Sequence, residues 1–284
     1  MDAGTLCAEG ACSAAPKNCK LDGRTGKDMW DHQSEPFATI PEFLDRVRSD
    51  VADWSNSEIF PWFRGQPIDK PLLPRVLRGP YPERDLIDDF RLRAPAVGDT
   101  PPFSEECEWL FLMQHHGLPT RLLDWTEGAL IALYFAVSSA GNPKSPVVWM
   151  INPVELNRLA VDKPQLLIAQ RGLGRSYVHR VFEDTEQLLV RPAAVRPSNV
   201  HRRMAAQRSC FVIFGASKDP LEKQLSDTEL ERRGYLRKYS FKPDEVKNLE
   251  SELRMYGISR STLFPDFEGL ADEIAHYNSD PSTR

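Results

Sequence analysis

The sequence predicts an α+β fold: a single domain with a mixed or antiparallel central sheet flanked by helices. Three observations predict it. Segments with apolar residues at helical spacing are interleaved with short β-branched and aromatic runs, without the regular strand–helix repeat of a doubly wound sheet. There is no glycine-rich dinucleotide fingerprint and no phosphate-binding loop. The chain of 284 residues, 41% hydrophobic and 10% aromatic, can supply a full core.

Residues 1–37 begin small and polar and read as a flexible tail, and 38–284 read as the domain. The tail holds Cys7, Cys12 and Cys19, at spacings that do not match a zinc knuckle. An odd cysteine total without a hydrophobic signal core points to reduced thiols and a cytoplasmic protein. Cys107 and Cys210 lie in apolar contexts and read as core.

The first helix is expected over 40–54, where Ile40, Phe43, Leu44, Val47, Val51 and Trp54 recur at helical spacing. "EIFPWFRGQ" (58–66) reads as a strand ending at Gly65, and the proline-broken 70–79 as a surface wrap. Helices follow over 83–97 and 104–117, the second with Ser104 as N-cap and Gly117 as its stop. A fourth helix is expected over 127–139. Strands are expected at 145–153, 186–193, 208–216 and 235–241, then helices at 244–258 and 267–277 separated by "SRSTLFPD".

The formal net charge of −5 argues against a general nucleic-acid coat, though it leaves room for a local basic cleft. The longest apolar run, "ALIALYFAV", is too short for a membrane span, so no membrane partner is expected.

The candidate chemistry concentrates in "WFRGQ" and in "QHHGLPTRLLDWT" (114–126). Arg64 ends an aromatic strand beside a glycine, which permits close approach of a ligand or of another backbone. Its guanidinium can fork onto a phosphate or carboxylate, or pair structurally with Asp124. Gln66 joins it among the candidate ligand contacts. His115 and His116 are adjacent on a helix and point about 100° apart, which disfavours a shared metal. No metal is expected. One histidine can cap the helix and the other can face a cleft as an acid/base. Alternation places Thr120, Leu122 and Asp124 on one side of an extended segment, and Arg121, Leu123 and Trp125 on the other. Asp124 or Thr126 can N-cap the next helix. Arg121 and Asp124 are expected to bond to each other or to Arg64, leaving Thr120 and a histidine toward the ligand. Arg64, a histidine, Arg121 and Asp124 are expected to share one cleft. Trp125 offers a ring for stacking. Glu183 and Glu186 precede a strand, where a carboxylate can act as a base or steady a positive charge. The basic run His201, Arg202, Arg203 and Arg208 can bind phosphate or RNA, and the Gln207 amide can read a ligand edge.

"WFRGQ", "LLPRVLR", "QHHGLPTRLLDWTEGALIALYFAV", "HRRMAAQRSCFVIFG" and "LFPDFEGLADEI" together resemble the signature blocks of the FRG domain, named for its Phe-Arg-Gly motif, over most of residues 58–277. The sequence departs from that pattern at "AQRSCF", where a glycine usually stands at Ser209 or Cys210. The family is largely bacterial and phage-associated. A further resemblance is to arginine-type ADP-ribosyltransferases. Arg64 of "WFRG" stands for their aromatic-Arg-Gly strand end. Asp124-Trp125-Thr126 replaces their Ser-Thr-Ser strand, and Glu186 stands in place of the catalytic glutamate.

This likeness implies an ADP-ribosyltransferase-like fold using NAD as substrate. Arg64 would clamp the diphosphate, and Trp125 or a neighbouring aromatic would stack on nicotinamide. Glu186 would stabilise the oxocarbenium-like charge. The acceptor would be RNA, DNA or a protein, in a toxin or phage-defence setting. Two other classes compete. One is an RNA-cleaving or RNA-binding toxin domain using His115 or His116 with Arg64 and the 201–208 segment. The other is a non-catalytic sensor of a nucleotide or phage component. The sequence leaves the oligomeric state open.

Overall fold

The computed structural model of the protein describes residues 35–54, 60–138, 144–182, 191–197 and 202–279. Thr39 starts the first helix, α1 (Ile40–Ala52), by accepting from the Glu42 N–H, and Ile40 and Phe43 are buried from it. Then come β1 (Trp62–Gln66), α2 (Glu83–Arg93), α3 (Glu106–His115), β2 (Leu122–Thr126), α4 (Ala129–Val137) and β3 (Val147–Ile151). The second half runs α5 (Pro153–Val161), β4 (Leu167–Ile168), α6 (Gly172–Phe182), β5 (Ala193–Arg196), α7 (Arg202–Ala206) and β6 (Ser209–Ile213). Two single-turn helices, α8 (Leu221–Gln224) and α9 (Glu229–Arg232), lead to β7 (Leu236–Ser240), and the chain closes with α10 (Val246–Met255), α11 (Arg260–Leu263) and α12 (Phe267–Ser279).

The strands form one sheet in the order β4-β5-β6-β2-β1-β3-β7. Every pair is antiparallel except β4–β5, so the sheet is mixed. The expected α+β class holds. The apolar interior divides into two clusters rather than one. Neighbouring residues of β2 serve different clusters: Leu122 belongs with α3 and α6, and Leu123 and Trp125 belong with α4 and α10. Period-2 alternation in a single strand therefore joins the clusters through the sheet.

Several boundaries differ from expectation. Phe37, expected in the tail, packs against Phe43, Tyr239 and Phe241, and its N–H donates to the Ser240 carbonyl at 2.9 Å. Aromatic burial draws the domain boundary ahead of residue 38, while residues 1–34 lie outside the described chain. The 70–79 segment is no surface wrap, because Leu72 and Val76 are buried. Ser104 does not cap α3. The N-cap is Glu105, without a side-chain bond, because the backbone first turns from Pro102 to Glu105. Gly117 does stop α3, at φ +76°, a left-handed conformation that glycine adopts without penalty. The strand expected at 186–193 falls mostly outside the described residues, and β5 begins at Ala193. Helices α5 and α6, the single-turn helices α8, α9 and α11, and the short strand β4 fall where the sequence reading places no element. At Ser209–Cys210, where the glycine is missing, the chain is ordinary strand. The left-handed residue is Arg208, at φ +46°.

Gly65 fixes how α4 sits. A Cβ there would lie 1.8 Å from the Ala132 carbonyl oxygen and 2.8 Å from the Ala136 nitrogen, both backbone atoms of α4. The close approach that this glycine permits is therefore to a helix, not to a ligand. Cys107 and Cys210 are buried thiols, and Cys107 donates to the Ala169 carbonyl at 2.8 Å. Burial pushes the Cys107 thiol up to about 12 and raises Cys210 well above its ordinary value. No described helix is long and apolar enough to cross a membrane.

Two outcomes follow from this packing. Gly65→Ala is expected to destabilise the fold by about 3 kcal/mol or more, because two backbones must part, and urea melts will measure it. Native protein treated with iodoacetamide at pH 8 should leave Cys107 and Cys210 unmodified by peptide mass mapping, whereas unfolded protein should carry label at both. Rapid native labelling of either would contradict the burial described.

Candidate functional site

The sheet opens at its centre. β1 matches β3 over five residue pairs and β2 matches β6 over five, but β1 and β2 share a single pair, Phe63 with Thr126. Beyond that pair the two strands diverge. The Arg64 guanidinium spans the gap, with Nη1 donating to the Asp124 backbone carbonyl at 2.6 Å and lying 3.8 Å from its carboxylate. It satisfies a carbonyl that a regular ladder would have paired with a backbone N–H.

A cleft of about 410 Å3 lies at this opening. Phe63, Arg64, Gly65, Asp124, Trp125 and Thr126 line it from the diverging strands. Gln114 of α3, Phe135 of α4, Arg203 of α7, Gln207 and Ser209 complete the walls. A recess of about 80 Å3 shares Gln114, Asp124, Arg203, Gln207 and Ser209, and adds His115. The volume suits a small organic ligand.

Arg64 has only 17% of its side chain exposed, and its Nε has no hydrogen-bond partner among the described residues. Burial lowers its pKa; Asp124 opposes that shift and Arg78 adds to it. A guanidinium stays cationic through such a shift, so the cleft keeps a positive charge at its lining, although the unpartnered Nε itself is buried. Arg203 is the second cation. Its pKa is lowered by burial, against the opposing pull of Asp266 and Asp124, and its guanidinium lies 4.4 Å from the Phe264 ring centroid. Arg260 approaches the same ring at 4.8 Å. Gln207 anchors this wall by donating to the Leu263 carbonyl at 3.2 Å.

Asp124 presents its carboxylate to the cleft with 59% of the side chain exposed. Gln114 Nε2 lies 2.9 Å from both of its oxygens. Neither Asp124 nor Thr126 N-caps α4, whose N-cap is Gly128 without a side-chain bond; the Thr126 hydroxyl instead accepts from the Gly128 N–H at 3.1 Å and donates to the Gln207 carbonyl at 2.7 Å.

The structure thus brings Arg64, Asp124, Gln207 and Trp125 to one cleft, with His115 at its margin. It separates the others. Arg121 points away and is occupied elsewhere, since its guanidinium pairs with Glu83 and donates to the Phe214 and Gly215 carbonyls at 3.2 and 3.1 Å. It bonds neither Asp124 nor Arg64, because alternation puts Arg121 and Asp124 on opposite sides of the strand. Thr120 is 1% exposed, so it cannot touch a ligand directly. Gln66 is buried away from the cleft, with its Oε1 unpartnered among the described residues. His116 is the exposed C-cap of α3 and lines neither cavity. The Trp125 ring is 3% exposed within the core, which leaves no free face for a nicotinamide. Glu183, Glu186 and His201 lie outside the described residues.

Sequence reading missed Gln114, Phe135 and Ser209, and named Arg203 only as part of a basic run. A usable signal for Gln114 was its place in the last turn of a helix leading into the polar stretch. Among the described residues no group of three His, Cys, Asp or Glu side chains could hold a metal ion.

Arg121→Ala should separate the two arginines. Removing it strands Glu83, whose side chain is only 11% exposed, and is expected to cost about 3 kcal/mol in a thermal or urea melt. Ligand affinity of the molecules that remain folded should not change.

Residues 61–145 match the FRG domain, a shorter span than the 58–277 of the sequence resemblance. No curated protein and no solved structure matches the chain. The matched span supplies β1, α3, β2 and α4, and with them Arg64, Gln114, Asp124 and Phe135.

Proposed function

We propose, from the premise that this chain carries an FRG domain at residues 61–145, that the cleft at its open seam binds a nucleotide through phosphate, with NAD as the ligand. The observation that carries this reading is Arg64: a cation held in a gap in the sheet, 17% exposed, and lining a cleft of about 410 Å3. Forked, charge-assisted bonding to phosphate oxygens is what such a group does best. Arg203 adds a second cation to the lining, and Phe63 and Phe135 supply apolar surface.

The reaction this arrangement suits is transfer of ADP-ribose. The bond between nicotinamide and ribose breaks, and its electron pair leaves with nicotinamide, which becomes neutral. Positive charge develops on the ribose. The Asp124 carboxylate stabilises that charge and takes the proton from the attacking acceptor, a nucleic acid or protein group, as the new bond closes on the ribose carbon. Glu186, the residue that the transferase likeness suggests, stands outside the described residues, so the carboxylate that supports this reading is Asp124.

Titration calorimetry with NAD+ and assay of released nicotinamide will test it. The protein should bind NAD+ and gain thermal stability with it. Arg64→Ala should weaken binding by about tenfold to a hundredfold while the protein stays folded, and Arg64→Lys should recover part of the loss. Asp124→Asn should abolish nicotinamide release and weaken NAD+ binding by no more than about tenfold, so that release is lost far beyond what weaker binding explains. Absence of any binding would overturn the reading. Binding without release in the presence of cell lysate would leave a sensor rather than a transferase.

A further inference from the structure

A hydrogen-bond chain behind the cleft has a direction that the surrounding backbone sets. The Leu122 N–H donates to the Thr120 hydroxyl oxygen at 3.2 Å. The hydroxyl proton is therefore free to go onward, and it goes to Gln114 Oε1 at 2.5 Å. With Oε1 committed as an acceptor, the amide nitrogen of Gln114 must face the other way, and it stands 2.9 Å from each oxygen of Asp124. Reversal would set Oε1 against a carboxylate, two acceptors with no proton between them. Thr120 is 1% exposed and packed in place, so the chain starts from a fixed point.

The result is a carboxylate that is held rather than swinging. Left to itself, an exposed Asp124 would turn onto the Arg64 guanidinium, which is 3.8 Å away, and would cancel the charge available to phosphate. Held by Gln114, it stands no nearer to Arg64 than a 3.8 Å ion pair and keeps lone pairs for a donor in the cleft. A ligand that fills this cleft must therefore offer two kinds of group side by side: an anion for the arginines and hydrogen-bond donors for Asp124. A phosphorylated ribose with free hydroxyls has both. Inorganic pyrophosphate has only the first.

We propose that Gln114 and Thr120 are positioning residues that hold Asp124 as an acceptor for ribose hydroxyls, so that the cleft selects ribose-bearing phosphates over bare phosphates. This rests on the phosphate-binding reading above.

The test uses the full chain, with ADP-ribose and pyrophosphate as the two probes in parallel calorimetric titrations, and circular dichroism melts as the check on folding. The unsubstituted protein should bind ADP-ribose at least about tenfold more tightly than pyrophosphate. Gln114→Ala and Thr120→Val should each weaken ADP-ribose by about tenfold and leave pyrophosphate within about twofold. Thr120→Ser keeps the hydroxyl and should behave as the parent protein does. Equal loss of both probes would mean that the pair supports the fold alone, and unchanged ADP-ribose affinity would mean that Asp124 needs no relay; either overturns the proposal. If pyrophosphate binds as well as ADP-ribose does in the unsubstituted protein, the ribose selection fails while the phosphate site stands. If neither probe binds, the phosphate reading fails and takes the relay with it.

Discussion

A helix has to pass over a strand with no room for a side chain between them. β2 and β3 are both antiparallel to β1 and lie on either side of it, so they run parallel to each other. Parallel strands need a crossover, and here it is made by α4. Its path from β2 to β3 therefore lies across β1, and Gly65 is the point of contact, with the Ala132 carbonyl where a Cβ would be. The Phe-Arg-Gly motif divides along this geometry. Phe63 makes the last regular pair with β2, Gly65 admits the helix, and Arg64 between them bridges the gap that opens. A larger residue at position 65 would lift α4 and with it Phe135, which walls the cleft.

The gap in the sheet costs backbone hydrogen bonds that a regular ladder would make. Arg64 offsets part of that cost by donating to the Asp124 carbonyl, while five pairs to β6 hold the other edge of β2 in place. The same β2–β6 ladder brings Ser209 opposite Thr126, and the Thr126 hydroxyl reaches the Gln207 carbonyl. Opening on one edge of the strand and closing on the other are coupled through one five-residue segment. The cleft is therefore a feature of the sheet itself, floored by rigid strand rather than hung on loops.

Much of this was legible in the sequence. The β-rich runs around Val147, Phe211 and Tyr239 became strands where expected, and the density of polar groups in 114–126 did mark one wall of a cleft. The glycine after Arg64 signalled a close approach, but a glycine carries the same signal for a ligand as for a helix, and only the topology decides. Arg121 shows a different limit. Strand alternation already set it on the other side from Asp124, yet its partner Glu83 stands 38 positions away, and nothing local announces such a pair. Thr120 was read as facing a ligand because alternation assigns a side and not a depth. The missed α5 had its start signals in plain view, with Asn152 capping and Pro153 in the first turn. Its apolar stripe is short, and periodicity alone did not reveal it.

The cleft also reaches beyond the matched segment. Residues 61–145 provide Arg64, Gln114 and Asp124, whereas Arg203, Gln207 and Ser209 follow more than fifty positions later, and Phe264, against which Arg203 rests, later still. Those later groups arrive only when β6 pairs with β2, because Gln207 and Arg208 immediately precede that strand. The matched segment could not form this cleft by itself: without β6, β2 would lose its one fully paired edge while its other edge is already open. The division also separates chemistry from shape. The groups that would meet phosphate and ribose on the floor come from the matched segment, and the basic wall comes from Arg203 of α7, resting on Phe264 just after α11. Substitution in that wall can alter which ligand fits without disturbing the strand gap that Arg64 spans.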